Sequence, residues 1–381
     1  MNRKRILIIM PDRLRQPTGG MGVGLAHTLP LLQDEFDVSV IGFPEDGAAD
    51  FYKGVSNPIP SISHNPLVML MGQIAYMTEA LRGPRPDCVH AYDWSVYVAA
   101  YHVADYFKVP LVVTMQLSIN LLGRLGMSYS VQPKSPDGAL VQDALQKCEL
   151  FGLQKADHII QISHAYAKYF ETLPGVTLKT TVIPHGIDSM AWSHVTARTQ
   201  LPGNAPIKVV YIGRFAPMKG IRVLCQAVIP KEIDLIFVGD MNFGDPELVK
   251  MIQDKATHNS NVHMMHAIYG QDKINLLNAA DAIIMPSVHE PFGIVGLEAL
   301  ASKSMLLSSC VDGLGDFLND EVAINCGTSA ETIERACETL IAMTDEEKQK
   351  RVTRGLEICA QYNWVAIVDK LKKVYQAVMQ K

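Results

Sequence analysis

The chain contains no C-x-x-C pair, no D-x-D pair, no basic block beyond Arg3-Lys4-Arg5 and no long apolar run free of proline and charge. Each absence removes a class of protein. Cys88, Cys148, Cys225, Cys310, Cys326, Cys337 and Cys359 are scattered and odd in number, which suits reduced thiols in a cytoplasmic protein better than a disulfide framework. With no D-x-D pair to suggest a bound metal, neither a metal nor another cofactor is expected. A net charge of −5 and the lack of a basic face argue against nucleic acid as a partner. Arg3-Lys4-Arg5 ahead of Ile6-Leu7-Ile8-Ile9-Met10 mimics a signal peptide, but the run is short. Asp12, Arg13 and Arg15 follow it in place of a cleavage site, so it reads as a buried first strand. Gly54 to Thr78 lacks Asp, Glu, Lys and Arg, yet Pro58, Pro60 and Pro66 interrupt it. The helix that remains is short of the ~20 apolar residues needed to span a membrane. Its Met69, Met71 and Met77 could face a lipid or an acceptor, leaving peripheral membrane contact open; core packing is their ordinary use.

What is present is a long, apolar, regularly alternating chain. Its 381 residues are 48% hydrophobic, and single cores seldom grow past about 250–300 residues, so two domains are expected. Short apolar strands alternate with helical patterns: "RILIIM", "FDVSVIGF", "CVHAY", "PLVVTM" and "HIIQIS" in the first half, "KVVYIG", "DLIFVG", "VHMMH", "AIIMP" and "MLLSS" in the second. Continuous apolar strands of this kind predict parallel sheets covered on both faces. The polar segment 195–206 has linker composition, placing one domain over 1–195 and another over 196–363, followed by an amphipathic helix over 364–381. The fold class is α/β, with two doubly wound Rossmann-like domains. Ligands of such sheets bind beyond the carboxyl ends of the strands.

Three loops at such ends carry chemistry. "QPTGGMGVGLAHTL" (16–29) places glycines where backbone could approach a phosphate at a helix start. Its G-x-G-x-G spacing differs from the G-x-G-x-x-G dinucleotide fingerprint, although Glu45 stands near the place of an NAD enzyme's ribose acid. "YIGRFAPMKG" (211–220) sets Arg214 and Lys219 on one loop, a fork and a point charge suited to a diphosphate. In "HEPFGIVGLEAL" (289–300), Pro291 forces Glu290 out of helical geometry, a helix starts near Gly293, and Glu298 lies about a turn inside. Glu298 on an otherwise apolar face asks for a partner. His263 and His266, three apart on a strand, face opposite sides and make poor metal partners.

Together the three loops resemble a family 4 retaining glycosyltransferase of GT-B fold, with "HAYDW", "ADHIIQISHA", "VIPHGID" and "NAADAIIMPS" as further echoes. The resemblance implies two Rossmann-like domains facing across a cleft, the first on the acceptor side and the second holding a nucleotide diphosphate sugar such as a UDP-sugar. It implies that Glu298 binds the donor ribose, and that Glu290 and the backbone of Phe292, Gly293, Ile294 and Val295 hold the sugar and diphosphate. Arg214 and Lys219 would neutralise the departing diphosphate, Gly19 and Gly20 would approach it, and His266 to Ile268 would border the base. The last helix would return to the first domain. The reaction implied is hexosyl transfer to a saccharide or other hydroxyl-bearing acceptor, with retention by front-face displacement.

Two positions depart from that family. Tyr92 stands at the third position of "HAYDW" and Gln116 in "VVTMQLS", where relatives commonly carry histidine. His90 lies two residues before Tyr92, but adjacent strand-end residues point differently, so it is not a safe substitute. His90, Tyr92 and Gln116 are candidates for the acceptor or sugar side. These departures keep a silent nucleotide-sugar-binding protein as an alternative, and the glycine loop keeps an NAD-dependent oxidoreductase as a further one. "HAYDW" is similar to glycogen- and starch-synthase relatives, but Pro17-Thr18 precede the glycines where those carry a lysine.

Overall fold

Val, Ile and Leu dominate the short strands, and among the described residues six of the thirteen strands are buried at every position, as strands covered on both faces must be. A computed structural model describes residues 3–12, 19–43, 52–54, 66–127, 136–173, 175–176, 180–197, 199–242 and 244–380. The expectations attached to Glu45, Pro58, Pro60 and the Gln16–Thr18 stretch, and to the side chains of Met69 and Met71, lie outside those residues.

The first sheet comprises β1 (Arg5–Ile9), β2 (Asp37–Gly42), β3 (Tyr52–Gly54), β4 (Cys88–Tyr92), β5 (Leu111–Met115), β6 (His158–Gln161) and β7 (Thr180–Val182), in the order β3-β2-β1-β4-β5-β6-β7. Every pairing is parallel, with Ile6 opposite Val38 on one side and Cys88 on the other. The second sheet comprises β8 (Ile207–Ile212), β9 (Ile233–Gly239), β10 (Val262–His266), β11 (Ala282–Met285), β12 (Met305–Ser308) and β13 (Ala323–Asn325), also all parallel, in the order β10-β9-β8-β11-β12-β13. Parallel neighbours need crossover connections, and helices supply them.

The chain divides into two compact units, residues 1–185 with 364–381, and residues 186–363. The first boundary falls ten residues before the expected 195/196 because the segment after Gly186 is stitched to the second unit. Ile187 bridges Asn363, Asn278 Nδ2 donates to the Trp192 carbonyl (2.9 Å), and Thr196 N donates to Asn275 Oδ1 (3.0 Å). Linker composition there marks an exposed segment, and hydrogen bonds decide its owner.

The last helix, Trp364–Met379, packs on the first unit. Its Trp364, Ile367, Val368, Leu371, Val374, Tyr375 and Val378 join one core cluster with Ile6, Ile8, Leu25, Leu29 and Val40. At roughly 1.5–3 kcal/mol per fully buried large apolar side chain, that face ties the terminus firmly to the first sheet. The second unit has its own core around Phe215, Phe237, Leu248, Ile284 and Leu307. All seven cysteines are free thiols. Among the described residues no helix is long and apolar enough to cross a membrane.

Candidate active site

In the second sheet, β8 is flanked by β9 on one side and β11 on the other, so the connections diverge between β8 and β11. Crevices for ligands form at such a switch point. Both charged motifs leave the sheet there. Residues 213–220 follow β8, residues 286–293 follow β11, and the two loops are joined backbone to backbone. The amides of Val288 and His289 both donate to the Met218 carbonyl (2.9 and 3.2 Å). Gly220 makes that approach possible. It has φ +71, and a Cβ there would collide with the Pro286 carbonyl oxygen.

This joining brings Lys219 to Glu290. Lys219 Nζ lies 2.6 Å from Glu290 Oε2, with side-chain exposures of 21% and 6%. Ser287 Oγ donates to the same oxygen (3.1 Å). From the far side the Glu290 amide donates to Asp312 Oδ2 (3.0 Å), which also meets His289 Nδ1 (2.7 Å). Burial works to raise the Asp312 carboxyl, but hydrogen bonds from His289 and the Glu290 amide outweigh it and hold the group below its ordinary range. Asp312 has φ +47, a conformation that non-glycine residues seldom adopt. Tyr211 donates its hydroxyl to the Arg214 carbonyl (2.8 Å), and burial, with Glu290 nearby, pushes that hydroxyl's pKa far up. Arg214 itself is exposed, and its guanidinium makes no ion pair among the described residues.

Helix Ile294–Ala301 starts where the glycine predicts. Gly293 caps it at φ +90, a position where any Cβ would strike the Leu314 side chain. The amides of Ile294 and Val295 donate to nothing among the described residues, while Gly296 N already bonds the Gly293 carbonyl (2.9 Å). Two open amides at the positive end of a helix are suited to an anion. The Phe292 side chain is core, 2% exposed against Phe317 and Tyr362, so only its backbone can serve a ligand.

Glu298 is 3% exposed on the same helix. Its partner is Lys273, whose Nζ stands 2.5 Å from Oε2 and 5.5 Å from the Trp192 ring centroid. Neither Lys273 nor Trp192 was legible as a site residue, because each lies far from the motif in the chain and only packing joins them. His266 is exposed at the end of β10 and Ile268 is half-buried just beyond, two strands from β8. His263 pairs with Asp234 (2.9 Å), away from His266.

The first unit has its own switch point between β1 and β4. Gly19 and Gly20 lie there at the start of helix Gly20–Gln33, but the Gly22 amide is already taken by Asp12 Oδ2 (3.1 Å). Asp93, just beyond β4, has φ +88 and accepts from Ser95 N (3.2 Å) and Oγ (3.0 Å).

The structure corrects the expectation for His90. It is fully buried, with Nδ1 2.6 Å from the Tyr375 hydroxyl and Nε2 2.7 Å from Thr114 Oγ1, so neither ring nitrogen is left for a sugar. Burial, helped by His158, holds its pKa down to about 3. Tyr92 is likewise withdrawn into that core, 7% exposed and hydrogen-bonded by Thr28. His90 and Tyr92 share one face, their rings 4.3 Å apart, since residues two apart on a strand point the same way. Gln116 Oε1 meets His185 Nε2 (3.0 Å), and burial lowers the His185 pKa to about 4.

Two parallel, doubly wound units with diverging connections and a cationic, amide-bearing switch point define a glycosyltransferase of GT-B fold. Residues 19–186 match the glycosyl transferase 4-like domain, and residues 197–355 match glycosyl transferases group 1. The chain belongs to this group 1, family 4-like glycosyltransferase family, and is a transferase enzyme rather than an NAD-dependent oxidoreductase. It is 27% identical over 308 residues to glycogen synthase from Mycobacterium tuberculosis, covering 78% of this chain and 70% of that one. Among solved structures it is similar to sucrose-phosphate synthase from Thermosynechococcus elongatus (TM-score 0.81, 19% identity, 99% and 100% of the two chains). It is also similar to Anabaena HepE in complex with UDP-glucose (TM-score 0.72, 18% identity, 98% and 99%).

Proposed function

We propose that this enzyme moves a hexose from a nucleoside diphosphate sugar to an acceptor hydroxyl, with retention at the anomeric carbon and without a metal. The observation that carries the reading is the convergence, at one switch point, of the Lys219–Glu290 pair, the unpaired Arg214 and the open amides of Ile294 and Val295. A diphosphate leaving group gains negative charge in the transition state, and cations and amides fixed beforehand lower that barrier by several kcal/mol. Arg214 and Lys219 supply the charge, the helix end supplies the amides, and Glu290 holds Lys219 in place and faces the sugar. Glu298 accepts the donor's ribose hydroxyls, and His266 to Ile268 border the base. The HepE structure's UDP-glucose supports a UDP-sugar as the first donor to try.

Retention follows if the acceptor attacks from the face the diphosphate leaves, with no covalent sugar–enzyme intermediate. The acceptor is a saccharide or another hydroxyl-bearing molecule.

Thermal melting with UDP-, ADP- and GDP-sugars and with NAD(H) tests the reading. A ligand at about 100 times its dissociation constant adds roughly 2.7 kcal/mol to the fold's stability. One nucleotide sugar should raise the melting temperature, and Glu298→Ala should abolish the rise. The matching transfer product, followed by NMR, should keep the donor's anomeric configuration and form unchanged in EDTA. An inverted product, or a glycosyl adduct trapped on Glu290, overturns the mechanism.

A further inference from the structure

Lys273 has no part in the charge neutralisation assigned to Lys219 and Arg214, yet it holds the other acid of the E-x7-E segment. Helix Gly270–Ala279 carries it, and that helix is pinned on the face turned to residues 192–196. Gln271 Nε2 donates to the His194 carbonyl (2.9 Å), Asn275 Oδ1 accepts from Thr196 N (3.0 Å), and Asn278 Nδ2 donates to the Trp192 carbonyl (2.9 Å). The backbone therefore fixes where the ammonium can reach. It sits 2.5 Å from Glu298 Oε2 and 5.5 Å from the Trp192 ring centroid, with side-chain exposures of 20% for Lys273 and 4% for Glu298. Among the described residues no other group meets the Glu298 side chain. A cation over an indole face is attracted by the ring, so Trp192 also steadies the ammonium.

A carboxylate this buried needs its charge matched, and one matched on a single oxygen is also turned in a fixed direction. The remaining lone pairs are then aimed rather than rotating. We propose that Lys273 is a positioning residue for the donor ribose: it fixes the Glu298 carboxylate so that its open acceptor sites meet the ribose hydroxyls, with Trp192 stacked against the ammonium as a built-in reporter. This rests on Glu298 being the ribose acid, as assigned above. It adds a residue outside all three motifs and ties the nucleoside site to the segment that follows Gly186.

The test uses the full chain with UDP, ADP and GDP, then the 2′,3′-dideoxy form of whichever binds. Affinity is read by calorimetry and indole emission by fluorescence; the chain has three tryptophans, Trp94, Trp192 and Trp364. Lys273→Met should weaken the ribose form about tenfold or more, the scale of a buried carboxylate losing its counter-charge, and the dideoxy form by less than about threefold. Lys273→Arg should restore the ribose form to within about threefold. Binding should change the emission of the unaltered protein, and Trp192→Phe should remove that change. If Lys273→Met melts too low to assay, Lys273→Gln, which keeps a donor without charge, should show the same ribose-to-dideoxy contrast. Equal weakening of both forms overturns the proposal. So does unchanged binding in Lys273→Met while Glu298→Gln loses the ribose form, an outcome that leaves the ribose assignment standing. If no nucleoside diphosphate binds the unaltered protein, the ribose assignment falls and Lys273's role with it.

Discussion

In the first unit the polar side chains near the ends of β1, β4 and β5 are consumed by their neighbours, whereas those after β8 and β11 pair across loops and leave groups open. Asp12 takes the Gly22 amide, Tyr375 and Thr114 take both nitrogens of His90, and Gln116 meets His185. Among the described residues, Arg214 in the second unit has no ion pair, and the Ile294 and Val295 amides have no acceptor. Both sheets run in the same order about their first strands. The same topology thus carries one switch point whose described polar side chains are held by their neighbours and another where a guanidinium and two helix-end amides stay open. Most buried polar groups find partners, and groups left open at a strand's carboxyl end are candidates for contact with a ligand.

Substitutions at the charged pair should break this comparison most sharply. Glu290→Gln and Lys219→Met should each lower kcat/KM for sugar transfer by about 10²–10³-fold, measured by product formation. Lys219→Met should also lower the melting temperature, because it leaves Glu290 buried without its counter-charge. The backbone approach beneath that pair comes next. Gly220→Ala should cost about 3 kcal/mol by chemical denaturation, since a Cβ at φ +71 meets the Pro286 carbonyl and has no side chain to displace.

Acid should separate the units by a smaller amount. His90, at about 3, and His185, at about 4, stay neutral in the fold. The unfolded chain protonates them below about 6.5, so their contribution is complete above that pH and is lost as pH falls. Each should cost about 1 kcal/mol between pH 6.5 and 5.5. Asp312, held below the ordinary carboxylate range, keeps its contribution until pH falls below about 4. Hydrogen exchange should therefore show amides of the first sheet opening earlier on acidification than those of the second. Equal loss in both sheets would erase the distinction. The smallest effect on ligand binding is expected for Tyr375→Phe, although stripping His90 of one partner should cost about 1–3 kcal/mol of stability. Calorimetry should find its nucleoside diphosphate affinity unchanged, because His90 serves the core.

Much of the backbone geometry around the second unit's candidate residues was legible in the sequence. Arg214, Lys219 and Glu290 sit on loops whose glycines and prolines announce their geometry, Glu298 sits inside the helix that Gly293 opens, and strand periodicity placed those loops at the sheet's carboxyl end. His90 and Tyr92 misled for a related reason. A motif at a strand's carboxyl end indicates a candidate site, but what its side chains meet depends on what packs over that face of the strand, and here that is the Trp364–Met379 helix. Lys273, Trp192 and Asp312 left no local signal, since each acts through a residue distant in the chain.

By itself, then, the sequence determined the alternation of buried strands and crossover helices, the two-unit organisation and the motif loops, because these follow from local periodicity and backbone restriction. Only the tertiary structure decided that the segment after Gly186 belongs to the second unit, that His90 is a core residue, and that Lys273 meets Glu298. Those outcomes turn on which distant groups satisfy one another's charge and hydrogen bonds, and a buried polar group's partner is fixed by packing rather than by its neighbours in the chain.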